Sequence, residues 1–449
     1  MPPGAALGWI GIVRLGLVQT ALGSIVVLTT STLNRIMVVE LALPALLPGA
    51  LVGLHYAVQI VRPRFGYGSD IDGRRTPWIV GGIAVLAAGG ILAAVATTLM
   101  AQWLFAGMAL AAVAFALVGL GVGAAGTSLL ALLAKRVDPH RRAAAATIVW
   151  MMMIAGFALT AATAGAFLDP YSAERLVAVT ACVSLGALLL ACVAVWRVEG
   201  SAHSGTSPPD AATRRPAFRE ALVQVWAEPR ARKFTIFVFV SMLAYSAQDL
   251  ILEPFAGSVF GYTPGASTQL SGLQHSGVFV GMLLVALAAS GRRRFGSLRA
   301  WTVGGCLASG AGLVALAFGG AVGSDWPLGP NVFLLGIANG AFAVAAIGSM
   351  MNLAGEGRAS REGTRMGLWG AAQAIAFGLG GFAGTVAADI ARFFIADTGL
   401  AYGLVFAGEG LLFVAAAAMA AGVGAQARRD AVPAVASGSP VQCRPMERA

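Results

Sequence analysis

Uncharged apolar runs of roughly 20 residues, separated by short arginine-bearing segments, recur along almost the whole chain. A run of that length rises about 30 Å as a helix, enough to cross the hydrocarbon core of a bilayer. The pattern predicts twelve spans, near 15–38, 44–61, 77–98, 103–131, 144–168, 175–196, 234–253, 270–289, 300–321, 330–352, 366–389 and 400–422. The least apolar connection, 197–233, divides them six and six. The expected organisation is an N-terminal six-helix half over 1–196, a cytoplasmic linker over 197–233 and a C-terminal six-helix half over 234–422. The remainder, 423–449, is rich in small residues and Pro and is expected to be a disordered cytoplasmic tail.

Composition strengthens this picture. Hydrophobic residues make up 58% of the chain and charged residues only 11%, where a soluble protein has about 25% charged residues. The net charge of +10 does not point to nucleic acid, because the arginines sit in short loops and no basic helix occurs. Their distribution alternates instead. Arg62, Arg64, Arg74 and Arg75, then Lys135, Arg136, Arg141 and Arg142, the central linker, Arg292 to Arg294 with Arg299, then Arg358, Arg361 and Arg365, and finally Arg428 and Arg429 fall on one side. The other side has only Arg35, Arg175 and Arg392, so the positive-inside rule predicts that both termini are cytoplasmic. The start, "MPPGAALGWIGIVRLGL", has no basic stretch before its apolar run, and the first span is expected to be retained. Cys182, Cys192, Cys306 and Cys443 form no CxxC and read as small packing residues. No P-loop, GxSxG or zinc spacing is present, so neither an enzyme, a catalytic residue nor a metal site is expected.

The loop between the second and third spans reads "GYGSDIDGRR". Gly66, Asp70, Gly73, Arg74 and Arg75 fit the signature of the major facilitator superfamily: glycines for a tight turn, an acid to pair or cap, arginines to hold the loop in the cytoplasm. The corresponding loop of the second half, "SGRRRFGSLR", lacks the Asp. This resemblance implies an all-α polytopic membrane protein with twelve helices in two halves. The fourth span carries no charge and the fifth no Pro, which disfavours an ordinary proton-driven antiporter.

Polar residues inside spans are candidate functional groups. Arg35 and Glu40 end the first span, and Asp249 and Glu253 end the seventh, its pseudo-symmetric mate. Two readings stand side by side: Arg35 meets Asp249 or Glu253 across the halves, as a periplasmic gate or docking surface, or each charge snorkels to the surface. Arg35 lies 21 residues beyond Arg14, which places it near the periplasmic boundary and makes deep burial unexpected. Glu409, in the usually peripheral last span, is a candidate contact for a partner or a lipid headgroup. His55 and His275 lie within spans, and each is either a hydrogen-bonded packing histidine or an axial ligand to a tetrapyrrole metal. Small residues four apart, as in "GIANG" at 336–340, suit close helix packing, with a ligand cavity as the alternative.

The segments "VVLTTSTLNRIMVVELALPALLPG", "RPRFGYGSDIDGRRTPWIVGG" and "QDLILEPFAGSVFGYTPGASTQLSGLQHSGVFVG" resemble the PucC/LhaA family, also called the bacteriochlorophyll delivery family, a branch of the major facilitator superfamily. The short "SDIDGRRTPW" loop and "LEPFAG" are most similar to the branch encoded among bacteriochlorophyll synthesis genes. What the resemblance implies is a photosynthetic protein of the bacterial inner (intracytoplasmic) membrane that assists light-harvesting complex assembly. It would bind bacteriochlorophyll as cargo or deliver it to antenna polypeptides, with His275 and then His55 as pigment ligands. Membrane lipid, light-harvesting antenna polypeptides and bacteriochlorophyll synthesis enzymes are the partners it implies. The alternatives are a secondary transporter of a small or amphipathic solute, such as a tetrapyrrole or its precursor, and a scaffold that holds antenna subunits without pigment.

Overall fold

A computed structural model describes residues 7–62, 65, 74–138, 141–199, 226–290, 296–355 and 362–431, and the described residues contain helices and no strand. Helix α1 runs Trp9–Glu40, α2 Leu46–Val61, α3 Thr76–Met100, α4 Leu104–Arg136, α5 Arg142–Leu168 and α6 Ala173–Val195. The second half contributes α7 Pro229–Phe260, α8 Pro264–Ser290, α9 Leu298–Val322, α10 Leu328–Gly355, α11 Glu362–Phe394 and α12 Thr398–Ala431. Eleven of these are long and apolar enough to cross a membrane, and α2 is shorter. Most helices overrun the expected spans, because a helix continues through the headgroup layer once the hydrocarbon core is crossed.

Two boundaries differ from those expected. Helix α7 does not stop before Pro254, where the residue ahead of a proline tends to leave the helical region. It continues to Phe260 and ends on Gly261 in the left-handed region at φ 68°, so Glu253 lies inside the helix instead of at its end. Helix α12 continues to Ala431, past the expected boundary at 422, and residues 432–449 lie outside the described residues. Of the expected linker, 200–225 lie outside the described residues, and α7 already begins at Pro229.

Each half has its own core. The largest buried apolar cluster comes entirely from the C-terminal half, around Phe255, Phe342, Phe406 and Phe413. A second, around Ile12, Leu86, Leu129 and Ala191, comes entirely from the N-terminal half. Facing helices approach through glycine. Gly277 and Gly281 of α8 lie against backbone carbonyls of α10, and Gly336 and Gly340 of α10 against carbonyls of α8. The small-residue spacing at 336–340 therefore serves packing.

Candidate functional site

The last third of α1 departs from regular α geometry. Residues Leu28–Thr32 and Ile36–Glu40 form two π-helical turns separated by Leu33–Arg35. The sequence supplies a reason: Thr29 and Thr30 turn their hydroxyls back onto the Val26 carbonyl, both at 2.9 Å, competing with the helix's own ladder. In a regular α-helix, residues five apart point about 140° away from each other. The wider π turn brings Arg35 and Glu40 together, and their side chains form an ion pair.

Arg35 does not snorkel, and its partner is not the one expected from the sequence. Its side chain is 2% exposed, pairs with Glu40 of its own helix, and donates through Nη2 to the Tyr262 carbonyl at 2.5 Å. Neither Asp249 nor Glu253 forms an ion pair with it, because the π turn brings Glu40 against the guanidinium instead. Gly257 of α7 permits the crossing: a Cβ there would come within 2.9 Å of Nη2. One turn below, Glu253 is buried with neither carboxylate oxygen hydrogen-bonded. The hydroxyls of Ser31, Ser267 and Ser271 and the Arg35 charge surround it.

The halves are stitched together around this point. Thr32 and Thr268 hydroxyls meet at 3.0 Å, and Asn34 Nδ2 donates to the Leu250 carbonyl at 2.5 Å. Two further clasps use acids that sequence reasoning passes over. Asp389 of α11 accepts from the backbone N–H groups of Ala45 and Leu46 at 3.0 and 2.7 Å, capping the start of α2. Asp169, at the end of α5, accepts from the Thr263 hydroxyl at 2.7 Å and the Gly265 N–H at 3.3 Å, at the start of α8. Helices α5 and α11 hold equivalent places in the two halves, as do α2 and α8, so the clasps are related by the pseudo-symmetry. Each sets a carboxylate on the positive end of a helix dipole. The signal available in sequence is an acid at the end of an apolar span facing the first turn of another. All these contacts gather at the arginine-poor end of the bundle.

Farther along α7, Asp249 faces Gln274, Tyr56 and Tyr245. Phe377 of α11 packs against both tyrosines, with ring centroids 5.9 and 5.8 Å apart. His275 donates from Nδ1 to the Ser271 carbonyl at 2.8 Å and stands edge-on to Phe157 of α5 at 5.0 Å. A carbonyl only accepts, so Nδ1 carries the proton, and a neutral ring keeps its lone pair on Nε2. His55 has its Nε2 on the Gln59 amide at 3.0 Å and its Nδ1 buried without a partner. The two histidines occupy different halves and are not brought into one site. An apolar groove of about 870 Å³ between α9 and α10, lined by small residues with Trp301 and Trp326, offers shape without an ionisable group. Among the described residues no cluster of three His, Cys, Asp or Glu could hold a metal ion.

Of the loop signature, Gly66, Asp70 and Gly73 lie outside the described residues, Arg74 is exposed and Arg75 is buried. Glu199, just past α6, accepts from the Arg75 N–H at 2.6 Å, and from the Thr76 N–H and hydroxyl at 2.8 and 2.7 Å. It caps α3 from a distant part of the chain. Burial alone would raise the Glu199 carboxyl, but these hydrogen bonds and the Arg75 charge outweigh it and hold the group below the usual carboxylate range. The stabilisation is therefore complete above the unfolded-state value and is lost as pH falls through the lowered folded value. Glu199→Gln is expected to lower stability at pH 7 by about 1 kcal/mol. In thermal unfolding in detergent, the gap to the parent should narrow in acid, and a gap independent of pH would refute the capping role.

A family model described as PUCC protein matches residues 32–427. The "Bacteriochlorophyll synthase 44.5 kDa chain" of Rhodobacter capsulatus is 57% identical over 433 residues, covering 96% of this chain and 99% of that protein. "Protein PucC" of the same species is 29% identical, covering 91% of each chain. Among solved structures, a peptide transporter (POT) in complex with sulfate superposes with a TM-score of 0.67 at 15% identity, over 95% of this chain and 97% of that one. A bacterial homologue of the lysosomal transporter Spinster, inward-facing and occupied, gives 0.68 at 15% identity, over 93% and 97%. At that identity the likeness concerns the fold, which is the major facilitator type.

Proposed function

The chain belongs to the PUCC protein family, and from that premise we propose that it serves photosynthesis by binding bacteriochlorophyll and handing it to light-harvesting antenna polypeptides. The full-length similarity to a chain named for bacteriochlorophyll synthase supports a place beside the enzymes that make the pigment. In this reading the protein is a companion that handles pigment and does no chemistry on it. The observation that carries the pigment reading is His275: its Nδ1–H is committed to Ser271, which orients Nε2 as a ligand for the pigment's central metal, beside an aromatic ring. His55 is the weaker candidate, because its Nε2 is engaged by Gln59.

The clasped end is the periplasmic one if the arginine-rich loops face the cytoplasm of the bacterial inner membrane. Arg35, Glu40 and Glu253 then close that face, and Asp249 borders the space between the halves. This supports a second reading, a secondary transporter of an amphipathic solute that enters from the cytoplasm. Gentle detergent purification from phototrophically grown cells separates the readings. Stoichiometric bacteriochlorophyll in the absorption spectrum, lost on His275→Ala with the melting temperature retained, is the expected result. A colourless parent protein would overturn pigment binding. Stable association of such a protein with antenna polypeptides would favour a scaffold.

A further inference from the structure

Four polar side chains interrupt the apolar core of the C-terminal half, one from each of four helices. Gln248 of α7, Ser309 of α9 and Asn339 of α10 are fully buried, and Glu409 of α12 is 4% exposed. Each lies on the stripe of its helix that builds the core: Gln248 between Ala244 and Ile251, Ser309 between Cys306 and Leu313, Asn339 between Leu335 and Phe342, Glu409 between Phe406 and Phe413. These eight neighbours all belong to one continuous cluster, so the four polar groups point into the same interior. Ser309, Asn339 and Glu409 also share a level, and α7 joins them through Phe255, two turns beyond Gln248, which stacks edge-on with Phe406 of α12 at 5.0 Å. Gly310 and Gly410, the next residues after Ser309 and Glu409, have backbones in contact, with a Cβ on Gly310 falling 3.1 Å from the Gly410 carbonyl. Gly305, one turn before Ser309, meets Phe342, which stacks edge-on with Phe413 at 5.8 Å.

None of these groups is satisfied within the chain. Both amide atoms of Gln248 and Asn339, the Ser309 hydroxyl and both Glu409 oxygens lack a hydrogen-bond partner. Such groups are rare in folded proteins and usually mark a bound water or ion. An isolated carboxylate in an apolar interior costs many kcal/mol unless a positive charge joins it. The elements packed on Glu409 bring none to its level. Helix α7 brings Asp249, whose negative charge reaches Glu409, and α10 has no titratable residue. Helix α9 brings the Cys306 thiol and, at its first turn, Arg299, which is spent on the Ala421 carbonyl about three turns along α12 from Glu409. Within α12, Tyr402 lies two turns away, and the Asp389 and Arg392 charges of α11 act on Tyr402.

We propose that Glu409, Gln248, Asn339 and Ser309 form an internal binding site for a small monovalent cation, a sodium ion or a proton. The carboxylate, two amide carbonyls and a hydroxyl offer five hard oxygen atoms from four helices. A single carboxylate matches a single positive charge, whereas divalent ions draw on more carboxylates or on waters. Occupancy would tie α7, whose next residue is Asp249, to α9, α10 and α12. Glu409 thus faces the core of its own half, and not a lipid headgroup or a partner as its peripheral helix suggested.

The test is thermal unfolding of the purified full chain, in two arms. One titrates sodium against choline at constant ionic strength, and the other lowers pH without sodium. A saturable rise in melting temperature in either arm, absent in Glu409→Gln and retained in Glu174→Gln at an exposed position of α6, is expected. The responding arm identifies the cation. No response in both arms, or an undiminished response in Glu409→Gln, would overturn the proposal. Should Glu409→Gln fail to fold, Asn339→Ala is expected to move the half-saturating cation concentration about tenfold, as the loss of one coordinating contact requires. An unmoved midpoint in that variant would count equally against the site.

Discussion

Arg35→Ala is expected to destabilise the protein by about 3 kcal/mol, read as a fall in melting temperature or in the denaturant midpoint in detergent. Removing one partner of a buried ion pair leaves the other charge without compensation, and here the loss is compounded. Glu40 loses its counter-ion, the Tyr262 carbonyl its donor, and Glu253 its nearest positive charge. The loss sits at the low end of the range for buried pairs because the Glu40 side chain is 34% exposed and partly screened. Arg35→Lys should recover only part of it. A single ammonium cannot reproduce the planar fork that reaches Glu40 and Tyr262 together. Because the pair is local to α1, exchanging the charges as Arg35→Glu with Glu40→Arg should not restore the bond to Tyr262. A parent-like melting temperature for Arg35→Ala would remove the basis for treating this junction as the closure between the halves.

That junction marks how far the fold and the site are legible in the sequence. Span number, the six-plus-six division and the singling out of Arg35 come from the length of apolar runs and the rarity of charge within them. The partner of Arg35 does not. Pairing between residues five apart is invisible to a reading based on 3.6 residues per turn, and here it depends on the π turn over Ile36–Glu40. The apolar run puts Glu253 at the end of its span, yet the helix continues through Pro254, which neighbouring helices in a membrane tolerate. Asp169 and Asp389 escape notice for a related reason. Each looks like a loop acid until the opposite half supplies the N–H groups it caps. Glu409 stands out in the sequence, but its meaning depends on Gln248, Ser309 and Asn339, which are distant along the chain and share only a stripe position and a depth.

The glycine contacts between α8 and α10 lead to the most severe expected effect, that of Gly281→Leu. A Cβ at Gly281 would stand 2.1 Å from the Ile337 carbonyl oxygen, and one at Gly340 would stand 2.0 Å from that of Val278. Gly277 and Gly336 repeat the arrangement at 2.3 and 2.2 Å from the Phe333 and Gln274 carbonyls. In each case the obstacle is backbone and not a side chain that can turn aside, so the helices must move apart along their length. Overpacking in cores costs about 1–3 kcal/mol even where neighbours can shift. Here they cannot, and a loss of about 4 kcal/mol or more is expected, enough to abolish folded protein on size-exclusion chromatography. Gly186→Ala in α6 is the control: nothing lies within 4 Å of its added Cβ, so no loss is expected. The consequence reaches the candidate site, because α8 also presents Thr268, Ser271 and His275 to the opposite half. Gly281→Ala adds only the first carbon of that side chain and is the milder change, displacing α8 less than Leu does. If the parent protein binds bacteriochlorophyll, loss of pigment at a denaturant concentration where the helices remain folded is the expected order of events. The reverse order would show that the α8–α10 contact supports the bundle without setting the geometry of the face that His275 occupies.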